Sequence, residues 1–157
     1  AETVRHLILA DGQVEVFEYF LAKMFQMHLT EAMAPSRARA SGLRRLKKAE
    51  SDVHIVMSVL ANQAGETEKT EAVLSASLAT LGFDPKPPVL LDRDWATVLD
   101  AVLDRLDQLR PKAKEQLVTE LGNIAMADDA ANIDERELLR VICASIHAPL
   151  PTFMRQL

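Results

Sequence analysis

A single cysteine, Cys143, is present in 157 residues, so no disulfide can close within the chain, which fits a reducing compartment. Positive charge is not in excess either: 18 basic against 23 acidic residues leave a net charge of −5, which argues against nucleic acid as a partner. No charge-free apolar run approaches the ~18 residues that a membrane-spanning helix needs. The opening residues show no signal-peptide pattern. Motifs of several enzyme classes are missing as well. There is no HExxH, no GxSxG, no P-loop and no GxGxxG, which removes the usual signatures of zinc proteases, serine hydrolases and nucleotide-binding enzymes. No segment alternates with period two for long enough to form a strand.

What remains is a chain with 48% hydrophobic and 26% charged residues, a composition that reads as globular and soluble. A chain of this size buries roughly 70% of the surface its unfolded form exposes. The five Gly and seven Pro gather at breaks between helix-patterned segments. Ala1 stands where an initiator Met would be, and Val4, Leu7 and Ile8 begin an apolar series almost at once. That beginning suggests a fragment of a longer protein.

The spacing predicts an all-α fold, a compact bundle of about seven helices in one domain over residues 1–157. Thr3–Ala10 is a short apolar helix ending at Asp11-Gly12. Val14, Phe17, Leu21, Met24 and His28 follow at steps of 3, 4, 3 and 4, with Val16, Phe20 and Met27 as a second apolar stripe. A helix apolar on two faces is expected to be central and buried. After a break at Thr30–Gly42, helical spacing resumes with Leu43, Leu46, Val53, Val56 and Leu60. Thr67 or Thr70 is placed to cap the next helix, and Gly82 to end it. The run Asp84-Pro85-Lys86-Pro87-Pro88 cannot be helical. Asp92 or Asp94 then caps a helix with Trp95, Leu99, Val102 and Leu106, and Pro111 suits the first turn of its successor. The last helix runs from about Asp134 to His147.

Two corners share one plan. LILADGQVEVFEYFLAKM (7–24) and IAMADDAANIDERELLRVI (124–142) each read as helix, acidic loop and helix. Val14, Glu15 and Glu18 superpose on Ile133, Asp134 and Glu137, a weak internal repeat. Two readings stand for these acids. In the first they are capping groups: Asp134 with Glu137 three residues later forms a capping box, and Ile133 with Leu138 a hydrophobic staple. Acids in a first turn also gain ~0.3–1 kcal/mol each from the helix dipole. In the second, the two units pack together and Asp11, Glu15, Glu18, Asp128, Asp129, Asp134 and Glu137 share Ca²⁺ or Mg²⁺, hard cations that prefer oxygen ligands. Neither corner has EF-hand spacing.

Other residues have plain explanations. His6, His28, His54 and His147 lie far apart and read as surface or half-buried histidines. Cys143, within VICASI, reads as a buried inert thiol. RARASGLRRLKK (37–48) holds six basic residues in twelve. Arg44, Arg45, Lys47 and Lys48 form either a solvated helix face or a contact for anionic lipid headgroups or an acidic partner.

At LADGQVEVFEYFL the chain resembles the TerB-like (tellurite-resistance) helical family, whose hallmark is a helix, an Asp-Gly corner and an early glutamate in the next helix. Ala10-Asp11-Gly12, Val14 and Glu18 match that motif. Ala127-Asp128-Asp129, Ile133 and Glu137 match the second one in part, without its glycine and one residue longer. More narrowly, LADGQVEVFEYFLAKMFQMHL with the Pro/Arg-rich break after it is similar to the C-terminal region of bacterial HtpX-like and CAAX-protease-like membrane zinc metallopeptidases. The resemblance implies a non-catalytic regulatory or protein-interaction tail, cytoplasmic and tethered to the inner membrane through the parent chain. Its partner would be the parent's catalytic membrane domain or another protein, and zinc would be held only in that catalytic domain. The alternative it implies is a free-standing stress protein that binds a divalent cation.

Overall fold

The computed structural model describes residues 16–33, 43–64, 68–89, 94–126 and 133–152. The architecture is all-α. Six α-helices occur among the described residues: α1 (Val16–Met33), α2 (Glu50–Ala64), α3 (Glu68–Thr80), α4 (Trp95–Leu106), α5 (Pro111–Ala125) and α6 (Ile133–Ser145). A 3-10 turn, Leu46–Ala49, leads into α2. The expected helix at Thr3–Ala10 lies outside the described residues. No described helix is long and apolar enough to cross a membrane.

The central helix is α2, not the one after the first acidic corner. α2 packs against α3, α4, α5 and α6. Val53, Val56, Met57 and Leu60 recur at steps of 3, 1 and 3 and are fully buried, and burying each such side chain contributes roughly 1.5–3 kcal/mol. Leu99, Val102 and Leu106 of α4, Leu117, Leu121 and Ile124 of α5, and Leu138, Val141 and Ile142 of α6 complete one continuous core. α1 is peripheral. It packs mainly on α6 and reaches α4 through polar contacts: Tyr19 Oη donates to Asp100 Oδ1 at 2.9 Å, and Lys23 Nζ donates to the same oxygen at 3.2 Å.

One side of α2 is closed by an extended strap, residues 83–89. Glu50, His54, Ser58 and Asn62 stand four residues apart, so they share a helix face. Glu50 Oε1 accepts from Lys86 Nζ at 2.9 Å, and His54 Nε2 donates to the Pro87 carbonyl at 2.8 Å. Ser58 Oγ accepts from the Val89 amide at 2.9 Å, and Asn62 Nδ2 donates to the Val89 carbonyl at 3.4 Å. The prolines hold Asp84, Lys86 and Pro87 extended, because each precedes another proline.

The stretch around Leu43 departs from its helical spacing. Residues 43–45 are not helical, and Arg44 forms an isolated parallel bridge with Leu109. The Arg44 amide donates to the Gln108 carbonyl at 2.9 Å, and the Arg110 amide donates to the Arg44 carbonyl at 3.0 Å. These bonds draw the backbone out of helical geometry and leave Leu43 80% exposed. Asp52 fastens the same region. Its carboxylate, 7% exposed, accepts from Arg44 Nη1 at 2.9 Å and from Arg105 Nη2 at 2.8 Å.

Burial opposes ionisation of Asp52, but the hydrogen bonds from Arg105 and Arg44 outweigh it and hold its pKa below the ordinary 3.8. The unfolded chain therefore binds the proton more readily than the native one. The stabilisation is complete above about pH 4–5 and is lost as the pH falls through the depressed native pKa. Asp52→Asn is expected to cost roughly 2–3 kcal/mol at neutral pH. Urea unfolding of both proteins at pH 7 and pH 3 should show the gap narrowing in acid.

Candidate functional site

Three surface features stand out from the packed interior. The first is a ridge on α1. Leu21 is 51% exposed, Phe25 51%, Leu29 39% and Met33 78%, and their four-residue spacing places them in one row along the helix. Of the two apolar stripes expected here, Leu21 is exposed while Met24 and Met27 are half-buried, so the open row does not coincide with either stripe. Tyr19 and Lys23 face inward, with the Tyr19 ring 5.3 Å from Trp95, while the Leu21–Met33 row faces solvent. A peripheral helix is covered on one side, here by α6 and by Trp95 and Asp100 of α4, so the Leu21–Met33 row stays open.

The acidic corners are the second feature. Asp11, Glu15, Asp128 and Asp129 lie outside the described residues, as does the side chain of Asp134. Glu18 is half-buried in the first turn of α1. α6 is described from Ile133, which places Asp134 among its first residues. Glu137 accepts from Arg140 Nη1 at 3.2 Å, an i,i+3 ion pair on the helix surface. Among the described residues no group of three or more His, Cys, Asp or Glu side chains converges as a metal would require. The helices that follow the two corners, α1 and α6, do pack directly on each other.

The third feature is a cleft that the periodicity of the sequence does not reveal. It has a volume of about 470 Å³, with Pro111, Lys114 and Val118 of α5 on one wall and His147, Pro149 and Pro151 on the other. At its edge Asp107 Oδ1 accepts from Lys114 Nζ and from His147 Nδ1, both at 2.9 Å. Asp107 ends α4, Lys114 lies in α5 and His147 follows α6, so one carboxylate ties three helix ends together.

His147 occupies an unusual backbone position, with φ +56°. The Ala148 amide donates to the Cys143 carbonyl at 2.9 Å and the His147 amide to the Ala144 carbonyl at 3.2 Å, the two bonds of a Schellman termination. α3 ends in the same way, with Phe83 donating to Leu78 and Gly82 to Ala79. There the left-handed residue is Gly82, at φ +88°, which has no Cβ to strain. A histidine in that place carries a cost that its bond to Asp107 offsets. The signal lies in SIHAPLP, a helix end before two prolines with no glycine to terminate it.

The basic stretch divides. Arg44 is turned inward: besides Asp52 it donates through Nη2 to the Lys48 carbonyl at 2.8 Å and through Nη1 to the Arg105 carbonyl at 3.4 Å. Arg45, Lys47 and Lys48 are exposed. Cys143 is buried at 2% exposure, and burial pushes its thiol up to about 12.

Two outcomes follow. Cys143 should react with a thiol reagent such as DTNB only at the rate at which the protein opens, and urea should accelerate it. His147→Gly should exceed His147→Ala in stability by about 1 kcal/mol, while Gly82→Ala should lose about 1–2 kcal/mol. Thermal melts of the three variants check the shared helix termination.

No family model, curated protein or solved structure matches this chain.

Proposed function

We propose that this chain is a non-catalytic protein-interaction module, and that the α1 ridge is the surface by which it docks. The observation that carries the reading is the row Leu21, Phe25, Leu29 and Met33, exposed on a helix whose opposite face is packed. Apolar rows of this kind mark interaction surfaces when they are contiguous. α1 holds one lysine against two glutamates, Glu18 and Glu31, and Lys23 is already tied to Asp100. That charge disfavours an anionic membrane on this face and suits an apolar helix of a protein partner, laid into the groove beside the row. The TerB-like resemblance at Ala10-Asp11-Gly12 and Glu18 supplies the wider setting: a regulatory tail acting on the catalytic domain of a membrane zinc metallopeptidase.

The direct contact of α1 with α6 favours a second reading, a divalent-cation-binding stress protein, because it draws together the helices that follow both acidic corners. Calorimetric titration of Ca²⁺ and Mg²⁺ into wild type and Asp11→Asn/Glu18→Gln separates the two. Heat and a rise in Tm seen only with the wild type would favour the cation.

For the leading reading, Leu21→Ser/Phe25→Ser/Leu29→Ser should keep the wild-type Tm to within a few degrees. It should lose co-purification with the catalytic domain of the parent protein and, with it, any effect of the tail on proteolysis. A triple variant that associates like wild type removes the ridge as the docking surface.

A further inference from the structure

The bridge between Arg44 and Leu109 has a consequence on the surface, independent of the α1 ridge. It sets two basic segments side by side that are more than sixty positions apart in the chain. The first carries Arg45, Lys47 and Lys48. The second carries Arg110 and Lys112. All five are exposed. Arg110 Nε donates to the Leu43 carbonyl at 3.1 Å, so the two segments touch at the point where Leu43 projects with 80% of its surface in water. Three acids nearby are already engaged, while Glu115 of α5 is exposed three residues after Lys112. Asp52 is shared by Arg44 and Arg105, Asp107 by Lys114 and His147, and Glu50 by Lys86. Exposed Asp104 lies close enough to Arg105 to raise its pKa. Arg45, Lys47, Lys48 and Lys112 have no ion-pair partner among the described residues. In a chain of net charge −5 this edge is locally cationic, with one leucine at its centre.

We propose that this edge, built from Leu43, Arg45, Lys47, Lys48, Arg110 and Lys112, binds the anionic headgroups of a membrane surface, with Leu43 entering the acyl boundary. Two physical terms select lipid over an acidic protein. Cations near an anionic bilayer act through a diffuse surface potential, so they need no matched partner geometry. An exposed leucine among them adds the apolar burial that interfacial binding requires. Arg44 is excluded from the set because its guanidinium is spent on Asp52 and on backbone carbonyls. Arg110 and Lys112 are included because folding alone brings them there.

Vesicle co-sedimentation of the 157-residue chain provides the test, with vesicles of phosphatidylcholine alone and vesicles containing about one-third phosphatidylglycerol, an anionic surface of the kind on which basic residues act. Binding is expected only to the anionic vesicles, and it should fall steeply between low salt and 0.5 M salt. Each cation near such a surface contributes about fivefold in affinity, so Arg110→Gln/Lys112→Gln should weaken binding roughly 25-fold. Arg45→Gln/Lys47→Gln/Lys48→Gln should weaken it further, and circular dichroism should show all variants folded. Leu43→Ser should weaken vesicle binding without changing retention on heparin, a soluble polyanion. Leu43→Trp should show a blue-shifted emission with anionic vesicles, relative to the Trp95 background. Absence of binding to anionic vesicles overturns the proposal. So does Arg110→Gln/Lys112→Gln binding as wild type, since the surface then does not span both segments. Equal loss on vesicles and heparin with no effect of Leu43→Ser assigns the edge to acidic polymers and likewise overturns it.

Discussion

Asp52 keeps a charge near the entrance of the helix around which everything else packs. A carboxylate in that position is tolerable only because guanidinium groups from two other segments meet it, Arg44 from the extended 43–45 stretch and Arg105 from α4. The same contact determines where α2 begins. With Arg44 drawn to Asp52 and its backbone bonded to residues 108–110, the chain cannot continue a helix back to Leu43. It enters α2 through a 3-10 turn instead. Val53, Val56, Met57 and Leu60 of α2 lie at the centre, and α3 to α6 close around them. Asp52 belongs to the scaffold, and the surfaces where this molecule meets others depend on it at a distance.

Two of those surfaces arise as residues of packing rather than as motifs. Because α2 takes the central place, α1 is left on the outside, packed mainly on α6, and its row Leu21, Phe25, Leu29 and Met33 has no cover. Because Arg44 pairs with the 108–110 turn, Leu43 is pushed into solvent and Arg110 is brought beside Arg45. Neither outcome can be read from the local sequence, since each depends on which of several apolar helices wins the middle. The competition is decided by how completely a helix can be enclosed. α2 has polar side chains every fourth residue, Glu50, His54, Ser58 and Asn62, and the strap at 83–89 satisfies them. The polar side of the helix is thus covered in part by the strap, with its side chains hydrogen-bonded.

His147 illustrates the same logic at smaller scale. Left-handed backbone is disfavoured for any residue with a Cβ, and α3 avoids the cost with Gly82. α6 accepts it, and the imidazole reaches Asp107 together with Lys114. Strain of this sort persists where the surrounding structure over-determines it. Here three helix ends converge on one carboxylate beside a cleft.

Much was legible in the residues alone. Apolar spacing of three and four declared the helical class. Gly82, Pro111 and the prolines at 85–88 marked the breaks, and a lone cysteine on an apolar face declared itself buried. These are local rules, and short-range sterics enforce them whatever the rest of the chain does. Tertiary structure decided the matters that local rules leave open. It made α2 rather than α1 the core, turned Arg44 inward and Leu43 outward, and joined Asp107, Lys114 and His147 across forty residues. The physical reason is that burial is a property of the whole assembly. A stripe of leucines states that something must cover it, and only the complete packing says whether the covering comes from within the chain.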